Sequence, residues 1–414
     1  MASVLQAQGT STATSLAYNT IQYGVTCYAQ LGQGRFSVDA TIGATEANMQ
    51  VTYRTAGTLS KLWVKVQTNS VNGNTTITVR KNAADGNMTV TFPASTTGIM
   101  RDTTNTDSVA AGDKLNFKIV SAGSSGNIKF FAASTVFSAT TNTAIRHLGS
   151  PLYSPTWFSQ TQYLPIAGSP VTDPTEANSK FDVNTAGTLK NLYVNVVTNS
   201  YTNTVTLRSR INGADGNLLI SIGAGVTGIF EDTANSDTLT ANDDVNLSFT
   251  TGAGNPGESI GLWGPSVDIV TTNNKFHVIT SYAPATGLGL GAGYHYIGGT
   301  LQEAKTAVAN AQIECNLYAK ASNLFVNVVS NALTVATTID LYLNGAATAL
   351  TLSVGAGASG QFEDATNVVS LCPTDLLAYH VGNTARAGAF TGSILGMMME
   401  TMTPTERVRT GIIG

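Results

Sequence analysis

The chain has 414 residues, enough for two to four domains at the usual ~100–200 residues each. It carries 21 Lys+Arg against 25 Asp+Glu, a net charge of −4, and charged residues make up 11% where an ordinary soluble protein has ~25%. So few cations leave little footprint for nucleic acid, no apolar run reaches the ~18 residues of a membrane span, and a hydrophobic content of 42% excludes disorder.

The opening Met1–Thr10 has neither a basic region nor an apolar stretch, so no cleaved export signal is expected. The run Ala56–Ser70 (AGTLSKLWVKVQTNS) returns 130 residues later as Ala186–Ser200 (AGTLKNLYVNVVTNS), and a looser copy is Ala321–Asn331 (ASNLFVNVVSN). Thr45-Glu46-Ala47-Asn48 returns as Thr175-Glu176-Ala177-Asn178, with Ala309-Asn310 as its remnant. Gly98–Asn105, Gly228–Asn235 and Gly360–Asn367 keep the same spacing. A period near 130 is the size of a whole domain, far above the ~20–50 residues of a solenoid unit. Three homologous domains are therefore expected, over 1–140, 141–272 and 273–414.

Within each copy the apolar residues alternate. Leu62, Val64 and Val66 fall on one face of a strand, and Trp63, Lys65 and Gln67 on the other. Strands also read over Thr76–Arg80, Thr89–Phe92 and Lys114–Val120, with turn signals at Asn72-Gly73, Asp85-Gly86, Ala111-Gly112-Asp113 and Ser124-Ser125-Gly126. Asn212-Gly213, Asp215-Gly216 and Asn242-Asp243 continue the pattern in the second copy. Short strands divided by turns at ~8–12 residues predict an all-β fold of three tandem antiparallel β-sandwich, jelly-roll-like domains. Helix is suggested only over Gln302–Ala309, which aligns with a region around Thr45–Asn48 expected to be non-helical. The Gly-rich run Gly287–Gly293 reads as an interdomain segment, and Met1–Thr20 and Glu406–Gly414, with Arg407 and Arg409, read as arms gripping neighbours.

Chemistry is sparse. No nucleophile elbow, phosphate loop or zinc-protease motif is present, and Cys27, Cys315 and Cys372 read as small apolar residues without metal spacing. His147, His277, His295 and His380 occupy unrelated positions in the copies, so they read as structural; Tyr294-His295-Tyr296 is the one place suggesting stacking or metal. A repeated acidic motif stands out: Asp102/Asn105/Asp107, Glu231/Asp232/Asn235/Asp237 and Glu363/Asp364/Asn367. Its oxygens make Asp102, Asn105, Asp232, Asn235, Asp364 and Asn367 candidate Ca²⁺ ligands. The competing reading is a turn whose carboxylate caps backbone N–H groups. That reading is favoured because Arg101 stands for the first acid in copy one and Val369 for the last in copy three. Trp157, Tyr163 and Trp263 are candidates for stacking on a sugar, whereas the aligned Trp63, Tyr193 and Phe325 read as core or domain–domain packing. No catalytic residue and no cofactor is expected.

The runs AGTLxxLxVxVxTNS, VRKNxADGN and TGxxxDTxN together resemble the jelly-roll modules of tailed-bacteriophage virion proteins, among them decoration (cement) proteins, head fibres and receptor-binding fibres. The resemblance implies a non-enzymatic structural protein of the virion, an outer capsid component with the major capsid or other virion proteins as partners. Self-association is also implied, without nucleic acid or membrane. Three sandwiches in one chain would mimic a trimer on a local three-fold site. The alternatives are a glycan-binding receptor protein at a fibre or tail tip, and a bacterial surface or filament-forming β-protein.

Overall fold

The computed structural model describes residues 10–16, 20–31, 45–140, 144–149, 156, 159–166, 172–255, 257–271, 273–281, 292–297, 299–300, 304–382 and 388–402. It is built almost wholly of antiparallel strands. The first group comprises β1 (Thr10–Leu16), β2 (Thr20–Gln22), β3 (Val25–Gln30), β4 (Val51–Thr52), β5 (Gly57–Asn69), β6 (Thr75–Lys81), β7 (Ala84–Phe92), β8 (Gly98–Val109), β9 (Lys114–Ser121) and β10 (Asn127–Ala139). The second comprises β11 (Ala144–Gly149), β12 (Thr161–Leu164), β13 (Phe181–Val183), β14 (Gly187–Asn199), β15 (Val205–Ile211), β16 (Ala214–Ile222), β17 (Gly228–Leu239), β18 (Asp243–Thr251) and β19 (Ile260–Thr271). The third comprises β20 (Lys275–Ser281), β21 (Gly293–His295), β22 (Gly299–Thr300), β23 (Ile313–Glu314), β24 (Ala319–Asn331), β25 (Thr337–Leu343), β26 (Ala346–Val354), β27 (Gly360–Leu371), β28 (Leu376–Gly382) and β29 (Phe390–Thr401).

One strand order recurs in all three groups. The first pairs a β1-β10-β5-β8 sheet with a β3-β9-β6-β7 sheet; the second has β11-β19-β14-β17 and β12-β18-β15-β16; the third has β20-β29-β24-β27 and β21-β28-β25-β26. Short connections carry the chain from one sheet to the other, as from β7 to β8 and from β8 to β9. In the first sandwich Leu62, Val64 and Val66 of β5 meet Ile77, Val79, Phe117 and Ile119 of the facing sheet in one buried cluster.

Local chemistry explains where each strand turns. Asn82-Ala83, Asn212-Gly213 and Asn344-Gly345 join β6 to β7, β15 to β16 and β25 to β26, each with both residues at φ between +50° and +88°. That is the two-residue hairpin whose twist matches its strands. The turn signal at Asp85-Gly86, and its counterpart Asp215-Gly216, instead lie inside β7 and β16. Glycine is needed there because a Cβ on Gly86 would come within 2.6 Å of the Asp107 carboxylate. Asp107 Oδ1 accepts from Asn87 N at 2.7 Å and Oδ2 from Met88 N at 3.2 Å. The third sandwich solves the same problem differently: Thr348 stands for the glycine and Val369 for the aspartate, and the Thr348 hydroxyl accepts from Leu350 N at 3.2 Å.

Two expectations are corrected. Ala304–Ala307, part of the suggested helix, is not helical; instead single helical turns occupy Glu46–Met49, Glu176–Ser179 and Val308–Asn310. The first coincides with the Thr45–Asn48 region expected to be non-helical. The N-terminal segment is not wholly an arm either, because Thr10–Leu16 pairs along β10 from Thr10↔Ser138 to Leu16↔Ala132. Glu406–Gly414 and Gly287–Gly291 lie outside the described residues.

The Gly–Asp and Thr–Val pairs should be interchangeable only together. Gly86→Thr alone is expected to cost about 2–3 kcal/mol by overpacking, and Asp107→Val about 1–3 kcal/mol by leaving two N–H groups unpaired. In urea denaturation the double variant should be at least about 1 kcal/mol more stable than the sum of the single effects. Simple additivity would contradict this coupling.

Candidate functional site

The repeated acidic motif resolves into a strand feature. In β5, Lys61 sits at φ +54°, and the register with β8 jumps from Ser60↔Thr106 to Leu62↔Asp102; Asn191 and Asn323 repeat this at +56° and +50°. The facing strand bulges over residues 103–105, and its free N–H groups turn onto the aspartate. Asp102 accepts from Thr104 N, Asn105 N, the Asn105 side chain and Thr89 N of the adjacent β7, at 2.9–3.2 Å. Asp232 and Asp364 accept the equivalent set, including Leu219 N and Thr351 N. The carboxylate is thus the staple that fastens the edge strand of one sheet to the edge strand of the other. Burial by itself would raise the Asp102 pKa, but hydrogen bonds from Asn105, Thr89 and Thr104 outweigh it and bring it to about 2. The six Ca²⁺ candidates are therefore gathered in pairs within three separate staples, in which the aspartate oxygens accept N–H groups and the asparagine side chains donate to them. Among the described residues no group of three or more His, Cys, Asp or Glu is placed to hold a metal.

The other candidates are scattered. Trp157 and the side chain of Trp263 lie outside the described residues, as does the side chain of His147. The Arg210 guanidinium covers the Tyr163 ring at 5.8 Å. His277 and His295 are buried, and Tyr294 packs with Tyr342 and His380 at ring separations of 5.2 and 4.9 Å. Cys27 and Cys315 are buried and Cys372 is half-buried.

What the sequence does bring together is the outward row of β5, β14 and β24. Trp63, Tyr193 and Phe325 are 1%, 3% and 3% exposed, although they point away from their own cores. Each lies against the helical-turn segment of another sandwich. On the first–third seam, Trp63 Nε1 donates to Glu314 Oε2 at 3.2 Å, and Lys65 Nζ to Ala309 O and Gln312 O at 2.7 and 3.1 Å. On the second–first seam, the Tyr193 hydroxyl donates to Gln50 O at 3.4 Å. On the third–second seam, Phe325 packs on Phe181 at 5.1 Å, and Asn327 Nδ2 donates to Ala177 O at 2.8 Å and Lys180 O at 3.3 Å. Ala177 and Lys180 occupy the same repeat positions as Ala309 and Gln312, and Lys180 and Gln312 the same as Gln50.

The contacts run one way round: first onto third, third onto second, second onto first. This is a closed, head-to-tail ring. Its inner members are β1, β11 and β20 with the paired β22, which approach one another. The apolar cores also cross the seams: Trp63 and Phe131 belong to the third sandwich's cluster, and Phe325, Ile279 and Ile394 to the second's.

Charge is distributed unequally on this frame. Arg101 of the first sandwich holds Glu314, whose side chain is 1% exposed, with Nε to Oε1 at 2.8 Å. Its counterpart Glu231 pairs with Arg54 of the first sandwich. The third counterpart, Glu363, has no ion pair among the described residues: it accepts from Asn184 at 2.7 Å and from Asn323 at 2.6 Å. Beside it a cleft of about 320 Å³ is lined by Asn178, Lys180, Asp244, Asn327 and Gln361 among others. Its polar groups are bonded to one another, Gln361 Nε2 to Asp244 at 2.8 Å and Lys180 Nζ to Asp244 at 3.3 Å. The sequence marks Trp63, Tyr193 and Phe325 as packing residues and Arg101, Glu231 and Glu363 as parts of the acidic motif, but not their partners Glu314, Arg54 and Asn184; the signal is the change of sign at Arg101 against Glu231 and Glu363.

The staple makes a pH-dependent prediction. Because the folded pKa of Asp102 lies below its ordinary 3.8, its contribution is present above pH ~4 and is lost as the pH falls toward 2. Asp102→Asn should cost about 2 kcal/mol or more at pH 7, and the deficit should shrink in thermal melts toward pH 2. A deficit independent of pH would show that the carboxylate's charge is not what holds the edge.

No family model matches the chain, and no curated protein matches it.

Proposed function

We propose that this chain is a non-enzymatic structural protein of a bacteriophage particle, an outer capsid decoration or cement component. In this reading it is three tandem copies of one jelly-roll domain, bounded at 1–140, 141–272 and 273–414, fused into a single-chain counterpart of a homotrimer. The observation that carries the reading is the closed ring of seams, because a ring with approximate three-fold repetition suits a local three-fold site on a capsid. The low charge, 11% of residues, fits docking by shape, apolar contact and backbone hydrogen bonds, which salt screens little. Its partners are then the major capsid or other virion proteins, and its location is the virion.

Antibodies raised against the purified chain should label the outside of intact particles. Stripping the protein should lower the temperature at which particles release their genome, and adding it back should restore that temperature. Absence from purified particles would overturn the proposal, and binding to a glycan array together with a location at a fibre or tail tip would replace it with the receptor reading.

A further inference from the structure

The three seams place equivalent residues together, and one of them assembles like charges. At the first–third seam the pair is Arg101 with Glu314, and at the second–first seam Glu231 with Arg54. At the third–second seam Glu363 takes the place of Arg101, Asp182 that of Glu314, and Asn184 that of Arg54. Asp182 also sits directly opposite Asp244 across the β13–β18 ladder, where the first sandwich sets Thr52 opposite Lys114 and the third sets Glu314 opposite Leu376. Like charges directly opposite on neighbouring strands destabilise the pairing. The Asp182 Oδ1 and Asn184 Oδ1 atoms are buried without a hydrogen-bond partner among the described residues.

We propose that the third–second seam is a pH-responsive joint, loosened at neutral pH by the Asp182, Asp244 and Glu363 carboxylates and tightened when a proton is taken up among them. The inference rests on the seam geometry alone and goes beyond the particle role. Burial first, and then Glu363, Asp244 and Asp243, push the Asp182 pKa up to about 6 from an ordinary 3.8. The sign follows: the ionised group opposes the folded seam above pH 6, and that opposition fades as the pH falls toward 4. Among the described residues the cation paired within the cluster is Lys180, which is committed to Asp244. His277 of β20 completes the surroundings. Its Nε2 accepts from Asn184 N at 3.1 Å, and burial brings its pKa down to about 3. It is neutral in the folded chain, so below pH ~6.5 it acts in the opposite direction, making the seam less stable as the unfolded chain takes up its proton. Comparing variants at each pH removes this shared contribution.

The test is thermal melting of the full chain and of Asp182→Asn between pH 4.5 and 7.5. The variant should melt about 2–4 °C higher at pH 7.5, and the difference should fall below about 1 °C at pH 4.5. Glu363→Gln should raise the melting temperature in the same pH-dependent way, and the double variant should gain less than the sum. Hydrogen exchange should slow across 177–184 in Asp182→Asn at pH 7.5 while 309–316 stays unchanged. A difference that is constant with pH, or strictly additive effects of the two variants, would overturn the proposal. Either outcome leaves the particle-labelling experiment unaffected, so failure here and failure of the proposed function are distinguishable.

Discussion

The ring depends on one kind of contact: a donor or ring on the outer face of β5, β14 or β24 meeting the backbone of another sandwich's helical turn. A turn as short as Glu46–Met49 or Val308–Asn310 leaves most of its carbonyls without an internal partner. Lys65, Tyr193 and Asn327 bring donors to those carbonyls from across the seam. The aromatic residue two positions earlier or at the same position excludes water, and burying such a side chain contributes about 2–3 kcal/mol. Each sandwich therefore helps to complete a neighbour, and the residues that do so are the ones that a lone sandwich would leave exposed.

Carrying all three sandwiches in one chain changes what such a ring can be. A homotrimer must repeat every contact three times, so a Glu at the position of Glu363 would face the same partner at every seam. Here the corresponding positions hold Arg101, Glu231 and Glu363, and each meets a different partner. Two seams carry a charge-assisted pair, one of them with Glu314 almost fully buried, where losing its partner would be costly. The third relies on amides and ring packing around a crowded acidic cluster. The same freedom appears within the sandwiches, where Gly86 with Asp107 and Thr348 with Val369 satisfy one stretch of backbone by two routes.

Much of the fold was legible because period-two burial is written locally. Leu62, Val64 and Val66 are fully or almost fully buried, as their alternation with polar residues implies. The packing role read for Trp63, Tyr193 and Phe325 also agrees with their burial, but which surface covers them depends on residues 143 or more positions away, beyond any local pattern. Asp85-Gly86 misled because glycine after aspartate signals a turn, whereas this glycine makes room for the Asp107 carboxylate. The substitution of Arg101 was visible as the loss of an acid. Its meaning depends on Glu314, which only the tertiary structure sets opposite it.

The central claim is closure of the ring within one chain, and small-angle X-ray scattering of the monomeric protein measures it directly. A compact globule of 414 residues has a radius of gyration of about 22 Å, so a closed ring should give a value near that with a single-peaked distance distribution. A radius above about 30 Å with a long tail would mean three sandwiches strung in a row, and the account of the seams would be contradicted.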